Sequence, residues 1–193
     1  FLDEPFSALD EHLRTELLDD LIPMLSLYKK TTLFVTHNID EAYRLCERII
    51  VMDKGSNIAC QSKDTIFDAP SSVVVANLVG CRNLSRVHPT SQGEIFAADW
   101  GLTLTVNTNQ PPKANVGIRP ECIKLITEPA ENAFLCTVAS ISESLYKNTL
   151  YVQTQHSDTL FRCDIQKDKW AKLMKTQLPL YIHLPKATLV FMD

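Results

Sequence analysis

The chain has 193 residues, enough for one large or two modest domains, and its 45% hydrophobic and 22% charged residues are an ordinary globular balance. No apolar run approaches the length that crosses a bilayer and no signal-peptide pattern is read at the start, so any membrane role is expected to come through a partner. The net charge of -4 argues against a broad nucleic-acid surface, and the six cysteines, with no CxxC pair among them, predict reduced thiols in a cytosolic protein.

An apolar lead-in, Phe1-Leu2, delivers two adjacent acids, Asp3-Glu4. Pro5 then stops the strand, and a polar turn through Ser7-Ala8-Leu9-Asp10 opens a helix. Ligands of open α/β sheets bind at the carboxyl ends of strands. Two carboxylates there suit a divalent metal and a water to be activated. The plainer use of such a pair is to cap the next helix.

Leu9, Leu13, Leu17, Leu21 and Leu25, flanked by Leu18 and Ile22, predict a helix over 9–28 with a core face packed on a sheet. Pro23 predicts a kink or break near Ile22. The β-branched run 31–36 predicts a buried parallel strand that ends at His37. Asn38 followed by Glu41 predicts a capping box on a short helix over 39–46. A strand over 48–53, a turn at Lys54-Gly55-Ser56 and a hairpin arm over 57–61 come next, then helical turns over 62–68 and 73–79.

After Gly80 the helical periodicity stops. Short β-rich runs occupy 84–87, 94–98, 102–106, 114–118, 123–126, 134–140, 150–155, 160–165, 180–183 and 188–191, with turn clusters between them such as Asn109-Gln110-Pro111-Pro112. Many short strands with turn signals predict an antiparallel barrel or sandwich, carrying one helical turn over 167–174.

The segment 1–10 together with His37 resembles the second half of an ATP-binding cassette, the nucleotide-hydrolysing subunit of ABC transporters. The resemblance implies that Asp3 is the Walker B aspartate that holds Mg²⁺ and that Glu4 polarises the attacking water. It implies a D-loop at Ser7 to Asp10, with Ser7 and Asp10 near ATP and the partner subunit, and a histidine at position 37 on the γ-phosphate. The order of strand, glycine turn and helix continues the likeness to importer-type cassettes as far as Gly80. Val116-Gly117-Ile118-Arg119-Pro120-Glu121 resembles a segment of the TOBE regulatory domain. Gly80 to Ser85 is similar to the opening of that domain in the molybdate and sulfate branch.

The implied fold is α/β: the C-terminal half of a P-loop NTPase cassette over residues 1–80, then an all-β, OB-like TOBE barrel over residues 81–193. The implied protein is the ATP-hydrolysing subunit of a bacterial importer, with molybdate first and sulfate second as solute and sugars or polyamines left open. ATP and Mg²⁺ are the implied cofactors. A second cassette subunit in a homodimer, membrane permease subunits and, indirectly, a periplasmic or extracellular solute-binding protein are the implied partners, with no nucleic acid. The implied location is the cytoplasmic face of the plasma membrane. A DNA-repair or chromosome-associated ATPase shares the acid pair and the histidine but fits poorly, since no basic stripe is visible.

No G-x-x-x-x-G-K-[ST] occurs, and neither the family's signature sequence nor its Q-loop is present. All three lie upstream of the Walker B strand in the family. The chain therefore reads as the later part of a longer protein and is expected not to hydrolyse ATP by itself. The first two helices are expected to expose apolar surface, and the β-rich part to be the more autonomous unit.

A reading from another class makes the chain a non-catalytic binding or regulatory module. Ser140, Ser142, Ser144, Lys147 and Asn148 fall in one turn-rich stretch and are candidate oxyanion contacts; a solvated loop is the alternative. His12, His88, His156 and His183 lack partners at ligand spacing and are expected at the surface or in packing. Arg119 is expected to be structural, paired with a carboxylate such as Glu121 or Asp164.

Overall fold

The structure is a computed structural model that describes residues 1–91, 93–107, 113–176 and 179–193. The turn cluster expected at 109–112 lies outside them. Two compact units divide the chain, Phe1–Phe67 and Asp68–Asp193.

In the first unit, β1 (Leu2–Asp3) pairs in parallel with β2 (Phe34–Val35), Leu2 opposite Phe34 and Asp3 opposite Val35. The helix between them, α1 (Glu11–Leu27), starts where the Asp10 side chain accepts from Leu13 N at 3.0 Å. Of the kink or break expected near Ile22, the break does not occur: the helix runs on through Pro23. Proline removes one donor four residues after Asp19, and Asp19 is exposed, so water can serve the freed carbonyl. The leucine row expected as a core face is largely exposed, in line with the apolar surface expected of the first two helices. Only Leu18 of α1 is buried, while Leu13 and Leu17 are 46% and 43% exposed, because a sheet of two short strands is too narrow to cover this helix.

The short helix α2 (Ile39–Leu45) follows, then β3 (Arg48–Asp53) and β4 (Ser56–Ser62), an antiparallel hairpin. Its turn places Lys54 and Gly55 at φ of +47° and +77°, the left-handed pair that a two-residue hairpin favours. Strand β3 is one-sided: Ile49 and Val51 are buried, Ile50 and Met52 exposed. In α3 (Lys63–Asp68) Ile66 is fully buried, and Phe67 meets Tyr43 edge-on with ring centroids 4.6 Å apart.

The second unit begins before Gly80. Its first helix, α4 (Val73–Leu78), is capped by Ser72, whose side chain accepts from Val75 N. Ala76 clusters with Cys81, Val190 and Met192, and Asp193 N donates to Ser71 O. These contacts tie residues 71–79 to strands near the end of the chain, which is why the boundary falls at Phe67 instead of Gly80.

Among the described residues ten strands follow: β5 (Asn83–Ser91), β6 (Glu94–Ala97), β7 (Leu102–Thr105), β8 (Asn115–Ile118), β9 (Lys124–Ile126), β10 (Ala133–Glu143), β11 (Lys147–Thr154), β12 (Leu160–Gln166), β13 (Leu180–His183) and β14 (Val190–Met192). The helix α5 (Lys167–Met174) sits between β12 and β13, as predicted. The run predicted as a strand over 188–191 starts as a 3₁₀ turn, Lys186–Thr188.

The described strands form two five-stranded antiparallel sheets, in the orders β12-β11-β10-β13-β9 and β14-β8-β5-β6-β7, the β-rich antiparallel architecture expected after Gly80. Both feed one core that includes Trp100, Leu104, Ile118, Val152, Phe161 and Ile182. The Trp100 and Phe161 rings meet at a tilt of 52°, with centroids 5.2 Å apart. Side chains join what the ladders leave apart. Asn83 Nδ2, on β5, donates to Ile118 O at 3.1 Å and to Arg162 O on β12 at 2.9 Å, and Arg162 N donates back to Asn83 Oδ1 at 2.7 Å. Asn132 makes a similar two-way link to the N–H and C=O of Thr105, both at 2.9 Å.

Candidate active site

Glu4 extends the β1–β2 ladder through its N–H, which donates to Val35 O at 2.8 Å. The backbone then turns into the left-handed region at Glu4, with φ of +42°, an uncommon conformation for a residue with a side chain. Ser7 N donates back to Glu4 O at 3.1 Å and closes the turn. His37 stands just beyond the end of β2, and its Nδ1 lies 3.1 Å from Glu4 Oε1. An imidazole with a proton on Nδ1 donates to the carboxylate and leaves Nε2 directed elsewhere. Both side chains are accessible, 73% for His37 and 45% for Glu4, as a site that meets a ligand requires.

The sequence motif missed the support for His37. Asn38 caps α2, its side chain accepting from Asp40 N at 2.9 Å and Glu41 N at 3.4 Å. The expected capping box is relayed: Asn38 N donates to Thr36 Oγ1, and Thr36 Oγ1 donates to Glu41 Oε2. Glu41 is 4% exposed, and Arg14 from α1 reaches its other oxygen, Nε to Oε1 3.6 Å. Thr36, Asn38, Glu41 and Arg14 therefore hold the backbone on both sides of His37. The capping spacing pointed to Glu41; nothing local pointed to Arg14.

Asp3 is exposed, and its carboxylate has no hydrogen-bond partner among the described residues. Magnesium is usually held by one or two carboxylates together with substrate phosphates, so a single free carboxylate at a strand end fits that ion. Of the other residues named from the sequence, Asp10 spends its side chain on the α1 cap, and Ser7 is exposed beside the Glu4 turn.

In the second unit the candidate oxyanion contacts do not converge. The ammonium of Lys147 is hydrogen-bonded to Asp164, which also accepts from Thr149 Oγ1 at 2.7 Å. Ser144 Oγ donates to Lys147 O at 2.8 Å and closes the β10–β11 turn. Asn148 points the opposite way from Lys147, into the core face, where its Oδ1 lacks a partner. Ser142 is exposed opposite Thr149, and Ser140 is exposed on the same strand. The Arg119 guanidinium donates to the Val79 carbonyl at 3.2 Å. Gly117 beside it has a packing reason: a Cβ there would lie 2.5 Å from Cys81 Sγ and 2.8 Å from Leu84 Cδ2.

The cysteines are all free thiols. Burial pushes Cys81 and Cys136 up to about 11 and Cys163 to about 12, so these three are packing groups. His183 is lowered by burial and by the neighbouring Lys124. His88 and His156 are exposed, and His12 lies near Glu16 on the open face of α1.

No family model matches the chain. The curated proteins similar to it are ATP-binding proteins of import systems. One is the sn-glycerol-3-phosphate import ATP-binding protein UgpC of Yersinia pestis, 29% identical over 208 aligned positions that cover 99% of this chain and 53% of UgpC. Another is the sulfate/thiosulfate import ATP-binding protein CysA 2 of Rhizobium meliloti, 36% identical over 125 positions that cover 65% of this chain and 34% of that protein. The chain spans about half the length of UgpC. Among solved structures, the cytoplasmic molybdate-binding protein ModG aligns with 58% of this chain and 97% of its own at 14% identity, with a TM-score of 0.44, too low to decide the fold. No helix among the described residues is long and apolar enough to cross a membrane.

Proposed function

We propose that the chain is the later part of an ATP-hydrolysing subunit of an importer. The observation that carries this reading is the pairing of Glu4 with His37 at the carboxyl ends of two adjacent parallel strands. In the proposed mechanism the Glu4 carboxylate orients the attacking water, and His37, held through Nδ1, presents Nε2 to the terminal phosphate. Asp3 would hold Mg²⁺, which supplies charge neutralisation at the phosphates. The left-handed turn at Glu4 aims its side chain across to β2, and the brace of Thr36, Glu41 and Arg14 keeps His37 from drifting. Ser7 to Asp10 would meet a second copy of the subunit, and permease subunits would attach the assembly to the cytoplasmic face of the membrane.

For the solute we propose an oxyanion, molybdate or sulfate. The segment Gly80 to Ser85 and the similarity to a sulfate/thiosulfate import protein support that class. Calorimetric titration with molybdate and sulfate tests it: micromolar binding selective for molybdate supports the molybdate branch, and binding of neither anion removes the second unit as an oxyanion sensor.

The catalytic reading is tested in a chimaera that places the upstream half of UgpC before Phe1. Glu4→Gln is expected to lower ATP turnover about 100-fold or more while nucleotide binding persists, in line with the loss of one preorganised catalytic group. Full turnover by that variant would remove Glu4 from the mechanism. The 193-residue chain alone is expected to turn over no ATP above its Glu4→Gln variant, because it holds no phosphate-cradling loop.

A further inference from the structure

The sheet β12-β11-β10-β13-β9 has two edge strands, and they approach each other. At one point they touch: Cys163 Sγ on β12 donates to Ile123 O just before β9, at 3.7 Å. Beside that contact the edges part around a cleft of about 660 Å³ that one face of α5 completes. Its size lies in the range that takes a small organic ligand, and a strand edge offers unpaired backbone N–H and C=O groups.

The lining has two chemistries. Ile123 and Leu125 are buried beneath it, and Leu173 on α5 is half-buried, so the floor is apolar. Around it stand four lysines against two acids, in a chain whose net charge is -4. Lys147 is spent on Asp164. Lys124, Lys169 and Lys172 are exposed and have no acid partner among the described residues. Lys169, Lys172 and Leu173 stand three and four residues apart on α5, so two ammoniums and one apolar side chain share a face of that helix.

We infer that this cleft binds a small organic anion with an apolar body, its phosphate, sulfonate or carboxylate head set among Lys124, Lys169 and Lys172 and its body on Ile123, Leu125 and Leu173. The apolar floor separates this ligand from a bare oxyanion. Inorganic phosphate or molybdate is strongly hydrated and would gain nothing from the leucines, whereas an apolar body is removed from water there. The ammoniums draw the head group in, an attraction that salt weakens. The cleft is built from residues of the second unit alone and uses none of Asp3, Glu4 and His37, so it survives failure of the nucleotide reading.

The test titrates 1-naphthyl phosphate into the ¹⁵N-labelled full chain and follows backbone resonances, with inorganic phosphate and 1-naphthol as controls. Saturable shifts centred on Lys124, Leu125, Ile165 and Leu173, with binding at least about tenfold tighter than either control, are expected. The exposed triple variant Lys124→Gln/Lys169→Gln/Lys172→Gln is expected to weaken binding about tenfold or more, and Leu173→Gln, which keeps every lysine, several-fold. Three results would each overturn the inference: shifts centred outside the cleft, equal affinity in the triple variant, or inorganic phosphate binding as tightly as the naphthyl ester.

Discussion

His37 Nδ1 lies 3.1 Å from Glu4 Oε1, although the two residues are 33 positions apart in the chain. To donate to the carboxylate the imidazole must carry a proton on Nδ1, whereas a free neutral side chain prefers the Nε2–H form. Removing the carboxylate in Glu4→Ala is expected to return the ring toward the Nε2–H form, seen in long-range ¹H–¹⁵N spectra. An unchanged tautomer would mean that Glu4 does not orient the ring. Both groups are exposed, so the same variant is expected to change stability by less than about 0.5 kcal/mol.

Asn83 is 5% exposed, holds β5 to β12 with two hydrogen bonds and donates a third to Ile118 O on β8. Asn83→Ala strands the N–H and C=O of Arg162 and the C=O of Ile118 in the core. Urea unfolding followed by Trp fluorescence is expected to show a loss of about 2–3 kcal/mol. A loss under about 0.5 kcal/mol would mean that water replaces the clamp.

Gly117 reaches the same core by a different route. Its Cβ position is occupied by Cys81, Leu84 and Met192, the last at 3.2 Å. Gly117→Ala is expected to cost about 1–3 kcal/mol, because three packed side chains must move together. The substitution would otherwise lower the entropy of the unfolded chain and stabilise slightly. A neutral or favourable result in thermal melts would show that this pocket yields.

Asp164 gives the fold an acid-sensitive element. Burial pushes its carboxyl up, but the hydrogen bonds from Lys147 and Thr149 and the nearby Lys147 and Arg162 charges outweigh that and hold it below the ordinary value. A folded pKa below the unfolded one of about 3.9 means that the ionised form favours the native state above that pH. The contribution is lost as pH falls through the lowered value. Asp164→Asn is therefore expected to be less stable than the parent at pH 7, by about 1 kcal/mol, and to lose less stability on acidification below about pH 4. Parallel acid titrations of parent and variant would contradict the assignment.

The positions of the candidate site residues were legible because each one ends a strand, while their roles came from the resemblance to the cassette family. Asp3 and Glu4 close an apolar lead-in, His37 closes a β-branched run, and parallel pairing of the two strands puts those ends side by side. The brace was less visible. Arg14 and Glu41 belong to separate helices, and helix periodicity ranks an Arg or Glu as surface, yet Glu41 is buried and Arg14 approaches it. The leucine row of α1 shows the converse: period shows which residues share a face, but not whether a sheet wide enough to cover that face is present.

The same division holds for the second unit. Alternation and turn chemistry determined that the chain after Gly80 is made of short strands, since a period of two is set by the backbone of each strand alone. Only the tertiary structure decided that residues 71–79 join that unit, that the strands form two sheets around one core, and that Lys147 is taken by Asp164 while Lys124, Lys169 and Lys172 surround a cleft. Those outcomes depend on contacts between residues far apart in the chain. Local propensity carries no term for such contacts, and the free energy of burial and pairing is realised only when the distant partners meet.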